Sequence, residues 1–578
     1  MTSTSVPRAR AREIATHYLQ TVVVVDDEIS FDNSAVPLRL VTPDDTSDTP
    51  NEAADDVATA PVGRATARLD GRSIVESFAA QGLICALLSP KPGSTLKDQV
   101  LAVAQRADAF VLDWRMNGDD GRATLAIIKD LLGGDHRSRL RLICIYTHDI
   151  DLDSIQKKVA DALVRQHSSK DGSTPHGVTA LDAAQSETGT LGVRGPGYRI
   201  SIIGKGSGAR VNTKSATESE LPDVLIGEFA AANHGLLRGL VLEALAVLRD
   251  NSSALVARFD VSLDAAYASH SVLTGDDGDF AVSIVVQQIS ALLEAAGVAG
   301  NVDRSAIGAW ASEVVAQPNF TPLIARDQHE PQAVDADWVK TLFREIEVGP
   351  QEAIRSALKA ATNGGQSIKR ADLTFTDVAS LTSVFAGSAS DADRADHSFA
   401  RLSCVARSHH DAVPEILKRG KAPVLRLGTV LRNGGTDGWQ YWVCVMPLCD
   451  SVRVKGKRKF PLVPLHVSGS NSGSFDVALL DVDGTELRLQ SSSHPYETSM
   501  PTFTPADSEV RAIWHAGKAE WRFEADGDRQ TYIWLADLRP EHALRIAVNA
   551  AQVGGRIGLD ESEWLRLNGR NRLRKNPQ

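Results

Sequence analysis

Apolar runs in the first 205 residues repeatedly end in a polar side chain of a particular kind, and this recurrence constrains the fold more than any other feature. Thr21-Val-Val-Val-Val25 is followed by Asp26 and Asp27, and Ala109-Phe-Val-Leu112 by Asp113. Leu142-Ile-Cys-Ile-Tyr146 is followed by Thr147, and Ile200-Ser-Ile-Ile-Gly204 by Lys205. A short, continuous apolar run between polar or turn residues reads as a strand buried on both faces of a parallel sheet. Helical periodicity predicts helices over 71–81, 94–106, 122–132 and 152–166, with a further strand over 83–88. Such alternation predicts a parallel sheet covered by helices on both sides. Ligands and chemistry in open α/β sheets gather outside the carboxyl ends of the strands. The acidic pair, the third carboxylate, the hydroxyl and the ammonium are therefore expected to converge. Three converging carboxylates repel one another, and a hard divalent cation such as Mg2+ is their natural neutraliser.

The order Asp-Asp, Asp, Thr, Lys resembles the receiver domain of two-component response regulators. The stretch Val111-Leu-Asp113-Trp-Arg-Met-Asn-Gly-Asp-Asp-Gly121 is similar to the loop after that family's phospho-accepting aspartate. The resemblance implies a flavodoxin-like, five-stranded parallel sheet and a phosphoryl group carried on Asp113, donated by a sensor histidine kinase. It implies Mg2+ held by Asp26, Asp27, Asp113 and the backbone carbonyl of Arg115. Thr147 would bond a phosphoryl oxygen and Lys205 would pair with the phosphoryl charge. Phosphoryl transfer is mainly positioning and charge neutralisation, which this division of labour supplies. The aromatic residue that many receivers carry three positions before the lysine is Ile202 here.

At 578 residues the chain exceeds one hydrophobic core. We expect a receiver over 1–217, an all-α middle domain over 218–396 and a β-rich α+β domain over 397–578. Polar stretches at 42–61 and 167–198 read as insertions, the second as either a hairpin excursion or a loop. The pattern over 218–250 reads as one long amphipathic helix, kinked near 233–235, that offers a connector or a homodimer surface. Further helices are expected at 280–296, 306–316, 338–347 and 351–361. Strands are expected at 425–431, 439–446, 475–480, 485–489 and 532–535, with Arg432-Asn-Gly-Gly435 as a turn and a helix starting at Pro540.

The net charge of −11 argues against general nucleic-acid binding. Five scattered cysteines form no disulfide framework and fit a reducing cytoplasm. No apolar stretch reaches the roughly 18 residues of a membrane span, and the basic N-terminus lacks the apolar core of a signal peptide. Cys444 and Cys449 stand at the outer edge of zinc-ligand spacing and read better as core and strand-end residues. The basic run 452–460 reads as a solvated hairpin tip.

Receiver, helical middle and Tyr-Trp-Val-Cys…Cys-Asp-Ser-Val-Arg sheet together resemble the receiver-bearing component of Detocs-type anti-phage systems. That resemblance implies a phosphate sink or adaptor, not an enzyme in its own right, sharing a kinase with a receiver-fused effector. The competing expectation is a phospho-gated effector whose C-terminal half binds or hydrolyses nucleotide or nucleic acid.

Overall fold

The computed structural model describes residues 6–31, 69–89, 96–133, 140–167, 179–181, 188–195, 197–206, 214–274, 278–317, 320, 323–324, 332–333, 382–410, 422–435, 438–468, 475–492, 494–506, 508–527, 530–554 and 566. The chain divides into two compact units, Met1–Glu313 and Val314–Gln578. The insertion expected at 42–61, the helices expected at 338–347 and 351–361, and the basic tail at 570–575 lie outside the described residues.

In the first unit, helices α1 (Val6–Tyr18), α2 (Gly71–Ala80), α3 (Leu96–Ala104), α4 (Arg122–Leu131) and α5 (Leu152–His167) pack around a sheet. The sheet contains β1 (Thr21–Val25), β2 (Ile84–Leu88), β3 (Ala109–Leu112) and β4 (Arg141–Thr147). It continues with β5 (Thr179–Leu181), β6 (Leu191–Gly195), β7 (Tyr198–Lys205) and β8 (Ser215–Ala216). Its order is β2-β1-β3-β4-β7-β6-β5, with β8 beside β7. The run β2-β1-β3-β4-β7 is parallel throughout, which gives the expected five-stranded core. The sheet is larger than expected. β6 and β5 extend it as an antiparallel hairpin, so the polar stretch 167–198 is the hairpin excursion in its described part.

Alternation along each strand builds two cores. Val23, Val25, Phe110, Leu112, Ile143 and Ile145 face α3, α4 and α5. Val22, Val24, Val111, Leu142 and Cys144 face the other way, against Ile14 of α1, Phe78 of α2 and Phe229 of α6 (Leu221–Ala232). The pattern expected as one helix over 218–250 is two, α6 and α7 (Leu236–Asp250), separated at 233–235. Helices α8 (Ser252–Ala257), α9 (Asp264–Thr274), α10 (Asp279–Ala295) and α11 (Arg304–Val315) follow. One short antiparallel pair, Leu323–Ile324 with Gln332–Ala333, lies in the stretch expected to be helical throughout. Among the described residues no single helix is long and apolar enough to cross a membrane.

The second unit contains α12 (Ala389–Cys404) and an antiparallel sheet. Its strands are β9 (Val405–Ser408), β10 (Thr429–Gly435), β11 (Gly438–Cys444), β12 (Leu462–Val467), β13 (Val477–Leu480), β14 (Glu486–Ser491), β15 (Ile513–His515), β16 (Glu520–Glu524) and β17 (Thr531–Leu538). Their order is β13-β14-β12-β11-β10-β17-β16-β15, with β9 pairing β17. Helix α13 (Pro540–Gly554) starts at the proline, where the missing N–H costs nothing. Arg432-Asn-Gly-Gly435 is not the expected turn. It continues β10, with Asn433 opposite Gln440 and Gly435 opposite Gly438. Cys404 and Cys444 pack in separate cores.

Candidate functional site

The parallel register brings the strand ends to one level. Val25 pairs with Leu112, Leu112 with Ile145, and Thr147 with Gly204. The residues that follow, Asp26 and Asp113, therefore emerge beside Thr147 and Lys205 at the carboxyl edge, and all four are buried. The Asp113 amide donates to Val25 O and the Asp26 amide to Leu88 O, so the backbone fixes both carboxylates.

Lys205 is the centre of the cluster. Its Nζ donates to Asp26 Oδ2 at 2.6 Å and to Asp113 Oδ1 at 2.7 Å. The second oxygen of each carboxylate is also engaged. Asp113 Oδ2 accepts from the Arg115 amide at 2.7 Å, and Asp26 Oδ1 from the Glu28 amide at 2.8 Å. Burial pushes Asp113 above the ordinary carboxylate range and Asp26 adds to the shift, while Lys205 and the Arg115 amide pull against it. Burial disfavours the Lys205 charge, yet Asp113 and Asp26 hold its pKa above the ordinary lysine value. One ammonium shared by two buried carboxylates accounts for both directions.

Thr147 Oγ1 accepts the Asp149 amide at 3.1 Å. Asp149 in turn receives Nε and Nη2 of Arg115 at 2.9 and 2.8 Å, which ties the loop after β3 to the loop after β4. Asp27 is half-buried and His148 exposed. Ile202 is fully buried in the sheet core.

Several contributors have weak sequence signals. Glu28 lies within electrostatic reach: burial, Asp26, Asp27 and Asp113 raise its pKa against the pull of Lys205. Only its place in the acidic run Asp26-Asp27-Glu28 hints at this. Tyr146 places its ring 5.6 Å from Lys205 Nζ and donates its hydroxyl to Ala216 O at 2.9 Å. Thr124, inside α4, donates to the Asp113 carbonyl at 2.6 Å. Gly121, the N-cap of α4, has φ +77°, and a Cβ there would lie 2.2 Å from the Trp114 ring. The buried indole thus sets the path of the loop carrying Arg115.

The donors Asp26, Asp27, Asp113 and Glu28 offer hard oxygens of the kind Mg2+ takes. Among the described residues no three His, Cys, Asp or Glu side chains are already arranged to hold a metal. Lys205 supplies the positive charge between Asp26 and Asp113. The donor chemistry fits Mg2+, with the ammonium as its rival for the same carboxylate oxygens.

The family described as response receiver domain matches residues 18–188. The match spans Asp26, Asp27, Asp113 and Thr147 and ends before Lys205. Searches of curated proteins and of solved structures gave no match. Receiver domains generally bind Mg2+ at the phosphorylation site and interact with histidine kinases. The family match supports a receiver-domain protein, a phospho-accepting response regulator in general terms.

Proposed function

We propose that Asp113 accepts a phosphoryl group from the phosphohistidine of a sensor histidine kinase. An Asp113 oxygen forms the new O–P bond as the N–P bond breaks, and the electron pair of that bond stays on the imidazole nitrogen. The observation that supports this best is the buried Lys205 ammonium on both Asp113 and Asp26, a counter-charge placed where phosphoryl charge would arrive. Thr147 bonds a phosphoryl oxygen. Asp26, Asp27, Asp113 and the Arg115 carbonyl would hold Mg2+, which supplies charge neutralisation when bound. We further propose that the chain acts as a phosphate sink or adaptor in an anti-phage two-component-like pathway, and not as an enzyme of its own. It would share its kinase with a receiver-fused effector, and the exposed apolar residues Leu237, Val241 and Leu245 of α7 suit a homodimer.

The test is labelling of the full chain by a cognate kinase or acetyl phosphate with Mg2+. Wild type should label and Asp113→Asn should not; equal labelling removes the assignment. Asp27→Ala should weaken Mg2+ binding with the thermal transition unchanged.

A second reading, a binding C-terminal half, rests on a groove of about 390 Å3 in the second unit, lined by Trp439, Trp442, His466 and Glu497. The exposed Trp439 ring there would stack on a base. Single-stranded oligonucleotide binding that Trp439→Ala abolishes would favour it.

A further inference from the structure

At the opposite, amino-terminal edge of the same parallel sheet lies a cavity of about 360 Å3. It opens where β4 and β7 begin, against the end of α6 and the start of α7. Four arginines line it: Arg141, Arg194, Arg199 and Arg238, with His234 beside them. No described lining residue carries a carboxylate.

Arg199 has a buried acidic partner. Arg199 Nη2 lies 2.7 Å from Glu228 Oε2, and both side chains are buried. Burial opposes the Glu228 charge, but Arg199 and the hydroxyls of Ser201, Thr188 and Thr190 hold its pKa below the ordinary range. Glu228 is thus an anion committed to Arg199, and Arg141, Arg194 and Arg238 line the cavity beside this pair. Arg141 is buried, gives Nη1 to Ala104 O at 2.9 Å and lies over the Phe110 ring. Arg194 and Arg238 are exposed at the rim. A concentration of guanidinium with no lining carboxylate favours a multiply charged anion.

Two buried polar atoms stand beside these guanidiniums. Tyr198 Oη and Asn233 Oδ1 have no hydrogen-bond partner among the described residues, although both side chains are more than nine-tenths buried. Buried polar groups are otherwise almost always satisfied. Burial raises the Tyr198 pKa, so the phenol keeps its proton and is a donor. Gly195 makes room for it, since a Cβ there would stand 2.3 Å from the phenol oxygen. The Asn233 amide nitrogen is spent on Phe229 O, leaving its oxygen as an acceptor. Arginines and a phenol for an anion, with an acceptor for a hydroxyl or amino group, suit a phosphorylated metabolite.

We infer that this cavity binds a small phosphate monoester carrying a hydroxyl or amino group, a nucleoside or sugar phosphate. The site is separate from Asp113, since seven-residue β4 spans about 20 Å between the two edges.

Isothermal titration of the full chain tests this with AMP, ribose 5-phosphate, inorganic phosphate and adenosine. AMP or ribose 5-phosphate should bind saturably and adenosine should not; which of the two binds tighter identifies the source class. The rim variant Arg194→Ala/Arg238→Ala, chosen because exposed positions tolerate truncation, should weaken binding about tenfold or more. Tyr198→Phe should weaken it by a smaller factor, and Asp113→Asn should leave it unchanged. Three results overturn the inference: no saturable binding of either ester, inorganic phosphate binding as tightly as both esters, or binding lost in Asp113→Asn and kept in the rim variant.

Discussion

The two units bury the same kinds of charged side chain and use them differently. In the first, Lys205, Asp26 and Asp113 project from the ends of three different parallel strands and meet there. In the second, Arg432 of β10 lies 2.5 Å from Asp481, which follows β13, and Tyr441 of β11 donates to the same carboxylate at 2.8 Å. Arg407 of β9 likewise meets Asp537 of β17 at 2.7 Å, and the Trp534 indole donates to it at 3.2 Å. Parallel strands collect polar ends at one edge, whereas antiparallel strands place charges along their length, where they fasten neighbours. Buried charge therefore marks chemistry only where the strand direction gathers it.

Four substitutions can break or sharpen that contrast. The largest effect is expected from Asp481→Ala, which leaves Arg432 without its buried carboxylate and Tyr441 without its acceptor. It should cost about 3–5 kcal/mol of stability in the second unit. Denaturant melts should show this while phosphoryl labelling of Asp113 persists; lost labelling in a folded variant would undo the contrast. Gly121→Ala should come next, at about 1–3 kcal/mol, because the new methyl collides with Trp114 at a left-handed position. Its signature is a lowered melting transition together with slower labelling, since Trp114 neighbours the acceptor.

Lys205→Met should act on chemistry more than on stability. The carboxylate is the reacting form of Asp113, and the ammonium is the strongest influence opposing the rise in its pKa. Its removal lets the pKa climb further, so the acid limb of the labelling-rate profile should move to higher pH. An unmoved limb would mean that Lys205 does not govern Asp113. The smallest effect is expected from Arg115→Asn. Arg115 is held over the loop by Asp149, and its release should admit water and speed loss of the phosphoryl group several-fold. Decay of isolated phosphoprotein, compared with His148→Ala, checks this.

The contrast also explains what the sequence showed and what it hid. β3 and β4 are uninterrupted apolar runs because both faces are covered, so their ends and the polar residues after them were legible. Helix α1 was not, because its arginines mask the apolar stripe of Ile14 and Ala15 that packs on α6. β6 was only half visible because Gly192, Arg194 and Gly195 dilute it, and its pairing with β7 is a tertiary fact. Arg432-Asn-Gly-Gly435 carries turn chemistry, but long-range pairing with β11 and β17 overrode it. In the site, Asp26, Asp113 and Lys205 followed from strand ends, whereas Tyr146 and Thr124 act through contacts that no local pattern encodes.

The bridging ammonium has a consequence for how the site rests and how it is roused. A cleft whose carboxylates already hold a tethered cation resists the adventitious entry of a mobile one, so the resting protein carries its own plug. Magnesium would have to displace that ammonium, and an arriving phosphoryl group would give the lysine a new anion to grip. Occupancy of the acceptor would then depend on magnesium and phosphodonor together, more steeply than on either alone, a two-key lock made from a single side chain.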